Sequence, residues 1–147
     1  MNQEPVIILL AEDDQDDCYL ISEALDESGV ENRLLMVENG EELIDYLYHR
    51  GKYTDQKEFP RPELILLDLN MPLKDGREAL EEIKNDLDLK RIPIVVLTTS
   101  QAEEDILATY DLGITGFITK PMTFTGLVDI MKSIGNYWFQ SVILPPK

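Results

Sequence analysis

Three nearly unbroken runs of Val, Ile and Leu restrict this chain more than any other feature: Val6–Ala11, Leu64–Leu67 and Ile92–Leu97. A strand with one wet face alternates apolar and polar residues. An unbroken run marks a strand covered on both faces, as in the middle of a parallel sheet. Two further apolar runs, Arg33–Val37 and Gly116–Ile118, complete a set of five.

An amphipathic stretch follows each run. Tyr19, Leu20, Ile21, Ala24 and Leu25 predict one apolar helix face, closed by Gly29. Asn39-Gly40-Glu41-Glu42 reads as a capped start before Leu43, Ile44 and Leu47. Ala79, Leu80, Ile83 and Leu87 predict a third helix. Ser100-Gln101-Ala102-Glu103 reads as a capping box before Ile106, Leu107 and Tyr110, with Gly113 as the stop. Leu127, Val128, Ile130, Met131 and Ile134 mark the fifth. The order βαβαβαβαβα predicts an α/β fold, a doubly wound five-stranded parallel sheet with helices on both faces. The 147 residues suffice for one such domain. It is expected over 1–136, with a polar, Pro-containing insertion at 49–62 and an apolar C-terminal extension at 137–147. No output domain is expected beyond it.

The net charge of −16 disfavours nucleic acid, whose phosphates need Lys and Arg, and disfavours an anionic membrane surface. Cys18 is the single cysteine, so a disulfide within the chain and a multi-cysteine zinc site are excluded. It is expected to be a small semi-buried thiol on a helix. His49, the single histidine, is expected to be a solvated side chain. The start Met1-Asn2-Gln3-Glu4-Pro5 lacks the basic segment of a secretory leader, and the apolar runs are too short to span a bilayer. A cytoplasmic protein is expected.

In doubly wound sheets, function collects at the carboxyl ends of the strands. Here those ends read Ala11-Glu12-Asp13-Asp14, Leu67-Asp68-Leu69-Asn70, Leu97-Thr98-Thr99-Ser100 and Ile118-Thr119-Lys120-Pro121. They would bring three carboxylates, a hydroxyl and a lysine to one edge. Clustered carboxylates repel, and burial raises their pKa values. A hard divalent cation relieves both problems, and Mg²⁺ suits one or two carboxylates plus a phosphoryl oxygen. A carboxylate can attack phosphorus to form an aspartyl phosphate, with lysine and hydroxyl holding the remaining oxygens. Asp68 ends the most apolar run, near the middle of the edge, and is the best nucleophile candidate.

Four segments carry a resemblance: Ile8-Leu9-Leu10-Ala11-Glu12-Asp13-Asp14; Leu66-Leu67-Asp68-Leu69-Asn70-Met71-Pro72 with Gly76; Ile94-Val95-Val96-Leu97-Thr98; and Phe117-Ile118-Thr119-Lys120-Pro121. Their order and spacing resemble the receiver domains of two-component response regulators, over residues 5 to about 136. The resemblance implies the strand order 2-1-3-4-5 and phosphorylation of Asp68 by a histidine kinase. It implies a Mg²⁺ site formed by Glu12, Asp13 and Asp68 with the backbone carbonyl of Asn70. Asp13 would bind the metal directly and Glu12 through water. Thr98 and Lys120 would take catalytic roles, and Thr98 and Phe117 would form the switch. A cis bond before Pro121 is frequent at this place in the family. Thr99 departs from the small residue common there and would narrow access. A receiver is a phosphoacceptor and not a conventional enzyme, with self-catalysed phosphotransfer and autodephosphorylation.

The 49–62 insertion, the run from Leu97 to Ile106 and the aromatic tail also look like the stand-alone regulators that serve phytochrome histidine kinases. Tyr137, Trp138, Phe139, Val142, Ile143 and Leu144 are too apolar for a free chain end. They predict a homodimer built on the fifth helix and the tail. The alternative is a tail folded back on its own domain.

Two rival chemistries share parts of the pattern. A phosphohydrolase of the haloacid dehalogenase type needs a second aspartate as general acid two residues after the nucleophile, where this chain has Asn70. A flavodoxin-like nucleotide binder needs a Gly/Ser/Thr loop after the first strand, where this chain has Glu12-Asp13-Asp14-Gln15-Asp16-Asp17. A degenerate receiver acting only as a binding module would have lost Asp68, Asp13 or Lys120, all of which are present.

Overall fold

All four residues of the run Leu64-Ile65-Leu66-Leu67 are buried, and the strand they form lies at the centre of the sheet. The structure, a computed structural model, describes residues 5–99 and 102–136. Its strands are β1 (Val6–Ala11), β2 (Asn32–Val37), β3 (Leu64–Leu67), β4 (Ile94–Thr98) and β5 (Gly116–Thr119). Its helices are α1 (Gln15–Ser28), α2 (Gly40–Leu47), α3 (Gly76–Asn85), α4 (Glu103–Asp111) and α5 (Phe124–Gly135). All neighbouring strands are parallel, in the order β2-β1-β3-β4-β5.

Alternate residues of the central strands feed two separate cores. Leu9, Ile65, Leu67, Ile94 and Val96 face α2 and α3, where Leu43, Leu47, Leu80 and Ile83 meet them. Ile8, Leu10, Leu64, Leu66, Val95 and Leu97 face α1 and α5. A sheet filled in this way leaves polar side chains no room within β3 or β4, so they emerge at the strand ends.

The cap residues set most helix boundaries. Asp14 accepts the backbone N–H groups of Asp16 and Asp17 at the start of α1, and Gly29 ends it with φ +80°. Asn39 accepts from the Glu42 N–H, while the Glu42 carboxylate reaches back to the Glu38 N–H. Asp75 and Thr123 cap α3 and α5 in the same way.

The inward faces differ from expectation at several places. On α1 the buried stripe is Cys18, Ile21, Ala24 and Leu25, while Tyr19 and Leu20 point to solvent. The five residues expected inside span too wide an arc, and Cys18 at i−3 from Ile21 takes the inner position. Leu87 is 77% exposed, because α3 stops at Asn85. The Asp86 carboxylate accepts the N–H groups of Asp88 and Leu89, which turns the chain and sends Leu89 inward. β4 runs over 94–98 instead of starting at Ile92, which ends a short 3₁₀ turn before Pro93. α4 starts at Glu103 after Ala102, which gives no side-chain cap, so Glu103 is not the third residue of a capping box. Ser100 and Gln101 lie outside the described residues. Leu107 and Tyr110 are exposed, and the Tyr110 hydroxyl accepts the Phe117 N–H on β5. All described peptide bonds are trans, including the one before Pro121.

The insertion is folded onto α2. Rings of Tyr46, Tyr53 and Phe59 pack with centroids 4.9–5.8 Å apart. The Tyr46 hydroxyl donates to the Pro60 carbonyl at 2.7 Å, and Arg33 donates to the carbonyls of Lys57 and Glu58. His49 is half-buried, not solvated, with Nε2 3.2 Å from the Phe59 carbonyl. The 137–147 extension lies outside the described residues. No described helix is long and apolar enough to cross a membrane.

Cys18 is 4% exposed, and burial pushes its thiol up to about 11. The reactive thiolate is therefore scarce at pH 8. Against an unperturbed thiol near 8.5, that alone should slow labelling by roughly two hundredfold. Thiol titration of native and urea-unfolded protein at that pH should show the gap, and equal rates would contradict the packing of α1.

Candidate functional site

β1, β3 and β4 end on the same edge, and the parallel register sets the height of each end. Ala11 pairs with Leu67, so Glu12 and Asp68 are neighbours one residue beyond. Thr98 closes β4 and is fully buried. Lys120 follows β5, with its N–H bonded to the Thr98 carbonyl. The close seat of α3 is also required. A Cβ on Gly76 would collide with the Asp68 carbonyl and with Leu69 Cα, so a glycine lets the helix start against the end of β3.

Asp68 is 6% exposed and held on both oxygens. Oδ1 accepts the Thr98 hydroxyl at 2.7 Å and the Asn70 backbone N–H at 3.1 Å. Oδ2 faces Lys120 Nζ at 3.3 Å. The ammonium also donates to Asp17 at 2.8 Å and, more closely, to Glu12. Glu12 is 1% exposed, and Asp13 is exposed. Oxygen atoms of Glu12, Asp13 and Asp68 lie within 4.8 Å of one another.

One ammonium thus contacts three carboxylates, with Asp13 beside two of them. Burial pushes Glu12 up to about 8, against the pull of the Lys120 hydrogen bond and with the help of the Asp68 charge. Burial works to lower Lys120, but hydrogen bonds to Asp17 and Glu12 and the charges of Asp68 and Glu12 outweigh it and raise its pKa. The donor set is hard oxygen, anionic, and open to solvent on the Asp13 side. Those are the properties that a divalent cation such as Mg²⁺ or Mn²⁺ requires.

The expected residues Glu12, Asp13, Asp68, Thr98 and Lys120 therefore meet. Asn70 adjoins them, with its backbone N–H on the carboxylate. Phe117 lies outside this polar cluster and packs half-buried on the margin of the α2–α3 core. Thr99 is exposed and lines a groove of about 350 Å³ between α1 and the start of α5, shared with Asp17, Leu20, Lys120, Met122 and Phe124. The dimer residues Tyr137, Trp138, Phe139, Val142, Ile143 and Leu144 lie outside the described residues.

Sequence reasoning missed two features. Asp17 was one acid in an acidic run, although it sits four residues after Asp13, one helical turn along. Arg77 grips Asp105 with two hydrogen bonds, Nε to Oδ1 at 2.7 Å and Nη2 to Oδ2 at 2.6 Å. Its Nη1 reaches the Leu69 carbonyl at 3.4 Å. This fork ties the first turn of α4 to the loop that follows Asp68. A pair 28 residues apart on two helices leaves no periodic trace in a sequence.

Residues 8–132 match the family model described as the response regulator receiver domain. Response regulator Rcp1 of Synechocystis sp. is 43% identical over 141 residues, spanning 96% of this chain and 94% of that protein. The crystal structure of the phosphorylated cyanobacterial phytochrome response regulator RcpA superposes with a TM-score of 0.89 at 45% identity. It covers 97% of this chain and 100% of its own. The Mn²⁺-bound form of Rcp1 gives 0.86 at 43% identity, with the same coverage.

Glu12 keeps a proton in the metal-free fold up to about pH 8, whereas the unfolded chain releases it near 4.5. Between those values the folded state binds the extra proton, so this group's contribution to stability falls as pH rises through that window. Thermal melts in EDTA across the window should show the decline. Glu12→Gln, which cannot titrate, should flatten it, and an unchanged slope would rule Glu12 out as its source.

Proposed function

This chain belongs to the response regulator receiver domain family, the phosphoacceptor modules of two-component phosphorelays, and from that premise we propose that Asp68 is the residue phosphorylated. One observation carries the reading: the Asp68 carboxylate is buried at the end of the central strand, with a hydroxyl, a backbone N–H and an ammonium already on its two oxygens. Those contacts fix the orientation of the carboxylate at the sheet edge.

A carboxylate oxygen of Asp68 attacks the phosphorus of a phosphohistidine on a histidine kinase. The P–N bond breaks as the acyl phosphate forms, and the histidine leaves with its electron pair. Glu12, Asp13, Asp68 and the Asn70 carbonyl would hold Mg²⁺, Asp13 directly and Glu12 through water. When bound, Mg²⁺ supplies the positive charge that offsets the phosphoryl oxygens. Lys120 steadies another of those oxygens. The Thr98 hydroxyl leaves Asp68 Oδ1 for the phosphoryl group, and Phe117 turns inward behind it, a shift between two populated states. The same site then directs water to the phosphoryl group, so the chain catalyses its own dephosphorylation.

The resident chemistry is thus that of a regulated acceptor. The kinase is of the phytochrome type, a reading supported by similarity along 97% of this chain to RcpA, which is named as a cyanobacterial phytochrome response regulator. The chain works in the cytoplasm, without nucleic acid or membrane as a ligand, as a receiver over 1–136 with the 49–62 insertion. It signals through its surface and forms a homodimer on α5 and the 137–147 extension.

Acetyl phosphate with Mg²⁺ should phosphorylate the wild type, and Asp68→Asn should remove the modification. Retention of the wild-type rate and site by that variant would end the proposal. Thr98→Ala should still accept the phosphoryl group yet lose the phosphorylation-dependent change in assembly or partner binding, and full signalling by it would exclude the Thr98 switch. The extension is tested separately by light scattering on the full chain and on a truncation ending at Asn136. A dimer that becomes monomeric on truncation is expected. A full chain that stays monomeric at high micromolar concentration, with and without beryllofluoride, would favour a tail folded back on its own domain.

A further inference from the structure

We infer that Asp17 is the positioning residue that keeps the Lys120 ammonium on the site when Glu12 and Asp68 turn to a divalent cation, an inference that rests on the phosphoacceptor reading above.

An ammonium has three N–H donors. In this structure they serve three carboxylates, those of Glu12, Asp17 and Asp68. Two of the three belong to the oxygen group able to hold a metal, together with Asp13, and Asp17 does not. A cation seated in that group draws on the same Glu12 and Asp68 oxygens and repels the ammonium. Asp17 is then the one present partner that the cation leaves in place.

Where a released ammonium would go is also visible. Lys120 forms part of the wall of the groove between α1 and the start of α5, with Asp17, Leu20, Met122 and Phe124. Without an anchor the side chain is free to swing into that opening, away from Asp68. Asp17 is suited to prevent it. Its side chain is 34% exposed, while that of Lys120 is only 11% exposed. Its backbone is held in the first turn of α1 by the Asp14 carboxylate, which accepts the Asp17 N–H at 3.1 Å. The anchor thus sits on a rigid element and holds a long, flexible lysine within reach of an arriving phosphoryl oxygen.

The test uses the full chain with Asp17→Asn, Asp17→Glu, Asp16→Asn, Lys120→Ala and the double variant Lys120→Ala/Asp17→Asn. Asp16→Asn makes the same change in charge one residue away, at an exposed side chain outside the Lys120 contacts. Two quantities are read: the Mn²⁺ or Mg²⁺ dissociation constant with no phosphodonor present, and the acetyl phosphate reaction at saturating Mg²⁺, separated into maximal rate and half-saturating donor concentration. Asp17→Asn should lower the maximal rate about tenfold, the scale of one charge-assisted contact, and weaken metal binding several-fold more than Asp16→Asn. The added weakening arises because, before metal arrives, an ammonium without Asp17 has only Glu12 and Asp68 of its three partners, and the cation must displace it from both. Asp17→Glu should restore most of both losses. In the Lys120→Ala background Asp17→Asn should add nothing, since its effect runs through that lysine. A maximal rate and metal affinity matching Asp16→Asn would overturn the inference. So would a loss of equal size with Lys120 absent. If the wild type takes no phosphoryl group, the phosphoacceptor reading fails, and the metal titrations alone still decide the role of Asp17.

Discussion

Burial of β3 and β4 on both faces is the constraint on which the rest of this protein depends. Their side chains fill two cores, one shared with α2 and α3 and the other with α1 and α5. A polar group can enter such a strand only at its end, where the chain leaves the sheet. Asp68 and Thr98 stand at those two ends, and their 2.7 Å hydrogen bond spans adjacent strands. The register that aligns the cores also aligns the chemistry, so a slip of β4 against β3 would separate the hydroxyl from the carboxylate as surely as it would expose Val95 or Val96.

The same burial makes the edge electrostatically unbalanced. Glu12 and Asp68 are almost out of water, and Lys120 is the single cation that the described structure sets between them. The metal-free site is held by that lysine, while burial pushes the Glu12 carboxyl up to about 8. A divalent cation bound there would supply one stronger charge. Ligand binding then changes which groups each side chain can face, and this is the elementary requirement for a switch. The Arg77–Asp105 fork joins the loop after Asp68 to the first turn of α4. Tyr110 in turn joins α4 to the backbone of Phe117 on β5.

The insertion before β3 shows the same economy at a distance from the site. Its polar composition suggests a solvated loop, yet Tyr53 and Phe59 turn inward on Tyr46, and Arg33 satisfies two of its carbonyls. It is a packed extension of the α2 face and lies away from the carboxylate edge.

The sequence by itself determined the element order, the doubly covered sheet and five of the side chains that meet at its edge. It could do so because those features have a local cause: an unbroken apolar run means two covered faces, and the residue after such a run must lie at the sheet edge. Capping followed the same logic at Asn39 and Gly29, where the responsible atoms are within three residues of one another. Other features escaped because their cause is not local. Which of Cys18, Tyr19 and Leu20 faces inward depends on how α1 is rotated against α5. The turn that exposes Leu87 depends on whether Asp86 caps the chain or leaves it helical. Asp17 and Arg77 carry no pattern of their own, since each is defined by a partner 103 or 28 residues away. Tertiary structure alone decided those pairings, because a hydrogen bond requires atoms to meet within about 3 Å, and only the packed sheet and helices bring distant carboxylates and cations that close.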